Sequence, residues 1–156
     1  MKTKIGLADK TTKSVAAILN EVLSDEFVLY AKARKFHWNV TGSDFSELHK
    51  FFEAQYEQLD EIIDQVAERA RSIGATAFGT LKEFSDHTHL KEHPGQNPVP
   101  KGMLAGLLAD HETIIRRLRN DLDTCAKLGD MGTSDFLTGL MERHEKMAWM
   151  TRAYLS

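Results

Sequence analysis

The sequence predicts an all-α fold: a four-helix bundle with a long crossover carrying a short helix between the second and third helices. Three observations predict it. Long stretches without glycine or proline carry apolar residues at helical spacing, no stretch alternates with the period of a strand, and all three prolines fall in one mid-chain segment.

The first helix is expected from about Thr11 to Val40, where Val15, Ile18, Leu19, Val22 and Leu23 recur on one face. "NVTGSD" stops it, and Asp44 with Glu47 forms a plausible N-cap pair for the next helix. That second helix runs through "FSELHKFFEAQYEQLDEIIDQVAERARSI" to Gly74, a natural C′ residue, with Phe52, Leu59, Ile63 and Val66 as its core stripe. Residues 75–100 read as a connection, with a short helix near "LKEFSD". A third helix spans roughly Lys101 to Leu128 on Met103, Leu107, Leu108, Ile114, Ile115, Leu118 and Leu122. "GDMGTSD" turns the chain, and Thr133 or Ser134 caps a fourth helix reaching about Tyr154. A helix of ~28 residues is ~42 Å long, so the four can lie side by side in the ferritin-like arrangement. The domain reading is a short Lys-containing arm, 1–10, and a single domain, 11–156.

Composition narrows the function classes. A chain of 156 residues with 42% hydrophobic content buries a core without disulfides. Its single cysteine, Cys125, forms no internal bridge, which fits a reducing cytoplasm. "MKTKIGLADK" has no apolar h-region, and no run approaches the ~18 apolar residues of a membrane span. A net charge of -3 argues against a strongly basic nucleic-acid surface. Seven histidines are many for this length.

Internal di-iron sites of ferritin-like bundles use Glu-x-x-His pairs. None of the twelve glutamates here has a histidine three residues later, so the usual internal site is not expected. The second helix offers another arrangement. His49 and Glu53 stand one turn apart on one face, as do Asp64 and Glu68. His49 and Asp64 are fifteen residues apart, a net rotation of ~60° but an axial distance of ~22 Å. Metal–ligand bonds are only ~2.0–2.6 Å, so the pairs cannot grip one ion within one chain. An antiparallel copy of the helix, related by a twofold axis, brings His49 opposite the other subunit's Asp64 and Glu68 and creates two equivalent sites. His37, beside the turn, completes the nitrogen side. Two imidazoles with two or three carboxylates suit Fe(II) or Zn(II) better than Ca(II) or Mg(II). The plainer reading makes Asp64 and Glu68 a solvated face, with Glu68 paired to Arg69 or Arg71, and His49 a polar residue at a helix end.

"KFHWNVTGSDFSELHKFFEAQYEQLDEIIDQVAERARSIG" resembles the signature of the Dps family, the DNA-protection-during-starvation mini-ferritins, and "DFLTGLMERHEKMAWM" resembles the family's last helix. The resemblance implies a homo-dodecameric hollow shell with ferroxidase sites at twofold interfaces. It implies oxidation of Fe(II), preferably by hydrogen peroxide rather than O2, storage of Fe(III) as mineral, and Zn(II) as a competing ion. Carried over, His37 and His49 are catalytic ligands from one subunit, Asp64 and Glu68 those of its partner, and Glu53 the remaining acidic position. Trp38 reads as an aromatic packed at a helix end; the resemblance also permits an oxidisable ring that absorbs stray radicals.

Lys2, Lys4, Lys10 and Lys13 are the candidate DNA contacts, and a protein that bound DNA through them would be nucleoid-associated. The competing reading is a nucleoid-associated DNA-binding structural protein with little iron chemistry. Asp121, Asp123, Asp130 and Asp135 cluster near the last turn; they are surface carboxylates, with Asp135 in a first helical turn, or the lining of an iron-entry pore. His87, His89 and His93 read as a solvated loop, and His111 and His144 as packed polar residues without an identified partner.

Overall fold

The computed structural model describes residues 3–156. Five helices follow in order: α1 (Asp9–Asn39), α2 (Phe45–Ser72), α3 (Leu81–His87), α4 (Pro100–Lys127) and α5 (Met131–Ala153). No strand occurs among the described residues. α1 packs along α2 and α4 along α5, forming two helical hairpins. The crossover carries α3 against α1, and further contacts of α1 with α4 and of α2 with α5 close the bundle.

Each long helix presents a seam of buried residues at alternating spacings of three and four. On α1 this is Val15, Leu19, Val22, Glu26, Leu29, Ala33 and Phe36; on α2 it is Leu48, Phe52, Gln55, Leu59, Ile62 and Val66. α4 contributes Leu104, Leu107, His111, Ile114 and Leu118, and α5 contributes Thr133, Leu137, Leu140, His144, Met147 and Thr151. Phe52, Leu59, Ile62, Leu107, Leu118 and Met147 are among the fully buried side chains. Each such apolar group stabilises by roughly 1.5–3 kcal/mol relative to exposure. The α2 stripe thus runs through Ile62 rather than the expected Ile63, which is half-buried, because the seam follows the other spacing at that turn.

Glu26, Gln55, His111 and His144 each interrupt the middle of one seam, and the four meet. His144 Nε2 lies 2.8 Å from Glu26 Oε1, and His144 Nδ1 lies 3.0 Å from His111 Nδ1. His111 Nε2 lies 3.0 Å from Gln55 Oε1. Glu26, His111 and His144 are 0% exposed and Gln55 2%. His111 and His144 therefore have partners that the sequence did not disclose. Burial, followed by the neighbouring His144, holds the His111 pKa well below its ordinary value.

The ends are set locally. Gly74 closes α2 with φ +91, and a Cβ there would meet Thr3 Oγ1 at 2.7 Å. Asp44 occupies the N-cap position of α2 but makes no side-chain cap bond. The complete capping box belongs to α3, between Thr80 and Glu83. Hydrogen bonds from Gly79 and Thr80 hold the Glu83 carboxyl below its ordinary pKa. α5 is capped by Asp130, not by Thr133 or Ser134: Asp130 Oδ1 accepts from the Thr133 backbone N–H at 2.9 Å. Asp135 consequently lies beyond the first turn of α5. Buried Asp25 pins the crossover, accepting from Thr88 Oγ1 at 2.8 Å and from the His89 backbone N–H at 2.6 Å. Burial pushes the Cys125 thiol up to about 11.

Removing the Glu26 carboxylate leaves a buried imidazole chain with an open end. Glu26→Ala is expected to cost about 3–5 kcal/mol, whereas Glu26→Gln, which retains an acceptor for His144, costs less. Denaturant unfolding of the two variants beside the parent checks the order.

Candidate metal centre

The α1–α2 turn brings His37 and His49 together. Val40 closes α1 by bonding to the Phe36 carbonyl, Gly42 turns the chain at φ +111, and α2 restarts after Asp44. The imidazoles stack with centroids 3.7 Å apart and planes at 20°. Phe45 also stacks on His49, at 5.1 Å.

Their hydrogen bonds are reciprocal. His37 Nδ1 lies 2.8 Å from the His49 carbonyl oxygen, and His49 Nδ1 lies 2.9 Å from the His37 carbonyl oxygen. A carbonyl only accepts, so each Nδ1 carries its hydrogen and donates. In the neutral rings the lone pairs then sit on the two Nε2 atoms, the form a metal ion requires. Neither Nε2 has a protein partner among the described residues. His37 is buried and His49 half-buried.

Glu53 stands one turn along α2 from His49 and is half-buried. Its Oε1 accepts from the Tyr56 hydroxyl at 3.2 Å. Tyr56 in turn meets the His37 ring edge-on at 5.2 Å. Asp64 and Glu68 lie far along the same helix, exposed, and neither carboxylate has a protein partner among the described residues. The cations offered as partners for Glu68 are committed elsewhere. Arg69 bonds Asp130 at 3.1 Å and Thr133 at 3.0 Å, and Arg71 bonds the Ala75 carbonyl at 2.7 Å.

Within one chain, no group of three or more His, Cys, Asp or Glu side chains among the described residues is placed to hold a metal ion. The structure therefore brings His37 and His49 together, sets Glu53 one helical turn from His49, and leaves Asp64 and Glu68 apart from them. A cavity of about 640 Å³ lies between α1, the crossover and α4, and none of these five residues lines it. Two of its three lysines are engaged: Lys32 bonds Asp110 and the Lys91 carbonyl, and Lys35 the His93 carbonyl.

The other candidates divide. Trp38 is 67% exposed and makes no ring contact among the described residues, so it is not packed at the helix end. Asp130 is buried and bound by Arg69 and Thr133, which commits it to the α5 cap. Asp121 is half-buried, and burial raises its carboxyl pKa. Asp123 bonds Lys127, and Asp135 is exposed. Lys10 and Lys13 stand on α1 rather than on an arm, Lys4 is exposed, and Lys2 lies outside the described residues. His87 bonds the Glu83 carbonyl and His89 bonds Asp25, so two of the three crossover histidines are held by the protein. No helix among the described residues is long and apolar enough to cross a membrane.

Residues 16–156 match the Ferritin family, described as a ferritin-like domain. An uncharacterised low temperature-induced protein of Nostoc is 44% identical over 155 residues, covering 99% of this chain and 87% of its own. The DNA protection during starvation protein 2 of Bacillus anthracis is 34% identical over 144 residues, covering 92% and 98%. The chain belongs to the Dps family. Among solved Dps structures, DpsC from Streptomyces coelicolor superposes with a TM-score of 0.97 at 28% identity, covering 100% of this chain and 91% of its own. The Dps of Vibrio cholerae O1, described as a member of the ferritin-like diiron-carboxylate superfamily, gives a TM-score of 0.94 at 30% identity, covering 99% and 97%.

In this Dps chain the imidazole pair depends on the turn conformation. A Cβ at Gly42 meets nothing within 4 Å, so Gly42→Val strains the backbone without a clash. The expected cost is about 1–3 kcal/mol of stability, with a loss of about 10–100-fold in Co(II) affinity from misplaced imidazoles. Visible-absorption titration with Co(II) measures the second effect, and unchanged affinity would detach the turn from metal binding.

Proposed function

We propose that this chain is the subunit of a Dps ferroxidase and iron-storage shell. Fe(II) is its substrate, held between His37, His49 and Glu53 of one subunit and the Asp64 and Glu68 positions of a second copy. One observation carries the reading: two imidazoles with free Nε2 lone pairs meet where α1 joins α2, and two carboxylates unpartnered among the described residues lie far along α2, too distant to share one ion with them. A twofold, antiparallel pairing of α2 closes that gap twice over.

The donor set fits the substrate. Imidazole binds Fe(II), carboxylates stabilise the Fe(III) that oxidation leaves, and Zn(II) competes for the same mixture. Two Fe(II) supply the two electrons that reduce one hydrogen peroxide to water, with O2 as the slower oxidant. Pairing electrons in this way withholds the hydroxyl radical that one-electron reduction releases, and so protects DNA in the cytoplasm without touching it.

Assembly is supported by the large apolar side chains that the single chain leaves exposed, among them Trp38, Leu81, Val99, Met131 and Trp149. In this reading the twofold pairs build a hollow dodecamer that stores ferric mineral. Asp121, Asp123 and Asp135 remain the pore candidates. Direct DNA binding rests on Lys4, Lys10 and Lys13, with Lys2, and a net charge of -3 gives it little support. No structural observation favours the purely DNA-binding alternative.

Mixing two inactive variants tests the arrangement. His49→Ala and Asp64→Ala homo-assemblies should each lose rapid peroxide-driven iron oxidation. In a mixed pair, one of the two sites at the interface collects both lesions and the other collects none. Random co-assembly should therefore restore about a quarter of the parental rate, read as iron oxidation after co-refolding. No recovery would place the ligands within one chain.

A further inference from the structure

The cavity between α1, the crossover and α4 is separate from the candidate metal ligands, and the fold holds it open. Its α4 wall is Gly102, Gly106, Ala109 and Thr113, which recur at spacings of four, three and four on one helix face. Three of these are Gly or Ala, so little side chain fills the space beside the helix. From Gly102 to Thr113 the helix rises ~16 Å, which makes the cavity a trough. Phe36 and Leu90, each 6% exposed, give it an apolar floor. The crossover wall is fastened rather than collapsed onto α4. Asp25 accepts from the His89 backbone N–H at 2.6 Å, Lys32 donates to the Lys91 carbonyl at 2.9 Å, and Lys35 to the His93 carbonyl at 3.1 Å. Pro94 and Pro98 stiffen the run that follows. The volume of about 640 Å³ falls among preformed sites for small organic molecules.

We propose that this trough binds a small aliphatic carboxylate, its chain lying along α4 and its head group held by Lys91 and Lys35. A chain of about ten carbons matches the ~16 Å wall. The inference is independent of the iron chemistry, since none of the five candidate ligands lines the trough.

Charge selects the head group. Three lysines and two carboxylates, Glu92 and Asp110, line the trough, which leaves one positive charge with the histidines neutral. A monoanion complements that charge, and a dianionic phosphate exceeds it. Lys32 is matched by its ion pair with Asp110. Lys91 Nζ has no protein partner among the described residues. Lys35 spends one of its three N–H donors on the His93 carbonyl and keeps two. A carboxylate costs much to bury unless a cation meets it, so the head stays with the lysines while the apolar floor takes the chain. The elongated wall favours an extended chain over a compact ring system of equal volume.

Isothermal titration of the assembled, metal-free protein with decanoate, decanol and decyl phosphate tests the proposal. Decanoate should bind saturably at about one molecule per chain, and more tightly than either of the others. Lys91→Gln should weaken decanoate about tenfold and leave decanol unchanged; the Lys91 carbonyl that Lys32 holds is kept in this variant. Gly106→Leu, which fills the trough from the α4 wall, should abolish binding of all three. Photolabelling of the parent with a diazirine-bearing decanoate, followed by peptide mapping, should mark residues 31–36, 89–98 or 102–113. That readout stands even if Gly106→Leu assembles poorly. No saturable binding, decanol or decyl phosphate bound as tightly as decanoate, undiminished binding in either variant, or labelling elsewhere overturns the proposal. Iron is absent from these titrations, so their failure leaves the ferroxidase reading untouched.

Discussion

The chemistry of this chain depends on two hydrogen bonds that tie His37 and His49 to one another's backbone. Each ring N–H is spent on the other helix's carbonyl, so the protein itself selects the tautomer that leaves Nε2 open. The same bonds hold the end of α1 in register with the start of α2. A slip of one residue on either helix would swing an imidazole through ~100° and break both bonds together. Gly42, with φ +111, supplies a backbone conformation that side-chain-bearing residues rarely adopt, so the turn closes with the two rings face to face. Helix connection and ligand preparation are here one interaction.

The far end of α2 is prepared by subtraction. Asp64 and Glu68 remain available because the nearby cations have other work. Arg69 is drawn to the α5 cap by Asp130 and Thr133, and Arg71 turns back to the Ala75 carbonyl. Had either arginine reached Glu68, a surface ion pair of about 0–1 kcal/mol would have competed with metal binding. The helix thus ends in two exposed carboxylates without partners, an arrangement that gains nothing for the isolated chain. It gains something when a second copy brings imidazoles to it.

The proposed ligands were legible in the sequence because they lie on one helix and the turn before it, where spacing converts directly into angle and rise. Helical geometry related His49 to Asp64 and Glu68, and His37 was added from its place beside the turn. Their meeting across a subunit boundary remains a proposal. The four-residue polar layer was not legible in the same way. Its partners lie far apart in sequence, 118 residues for Glu26 and His144, and no local spacing connects them. A signal was present all the same: each helix carries one polar residue at a position of its three-and-four seam where its neighbours are apolar. The α5 cap was misplaced because the cap rule accepts Thr, Ser and Asp alike. The tie from Arg69 on α2, which favours Asp130, is a tertiary contact.

The polar layer also fits the proposed placing of metal chemistry outside the bundle core. His111 is held neutral by burial, and its Nε2–H donates to Gln55 Oε1, so its Nδ1 must accept. His144 therefore donates from Nδ1, and its Nε2 lies in hydrogen-bond contact with Glu26 Oε1. Every imidazole nitrogen in the layer is then engaged. Only Glu26 Oε2 is left, buried without a protein partner, and one oxygen is far short of the four or more ligands a divalent ion takes. Opening the layer to a metal would require breaking hydrogen bonds in a dry interior, where each unmet group costs about 1–3 kcal/mol. At the α1–α2 turn the protein has already made those bonds to its own carbonyls and left the outward nitrogens free. The interior imidazoles hold the helices together, and the imidazoles at the turn keep Nε2 atoms without a protein partner among the described residues.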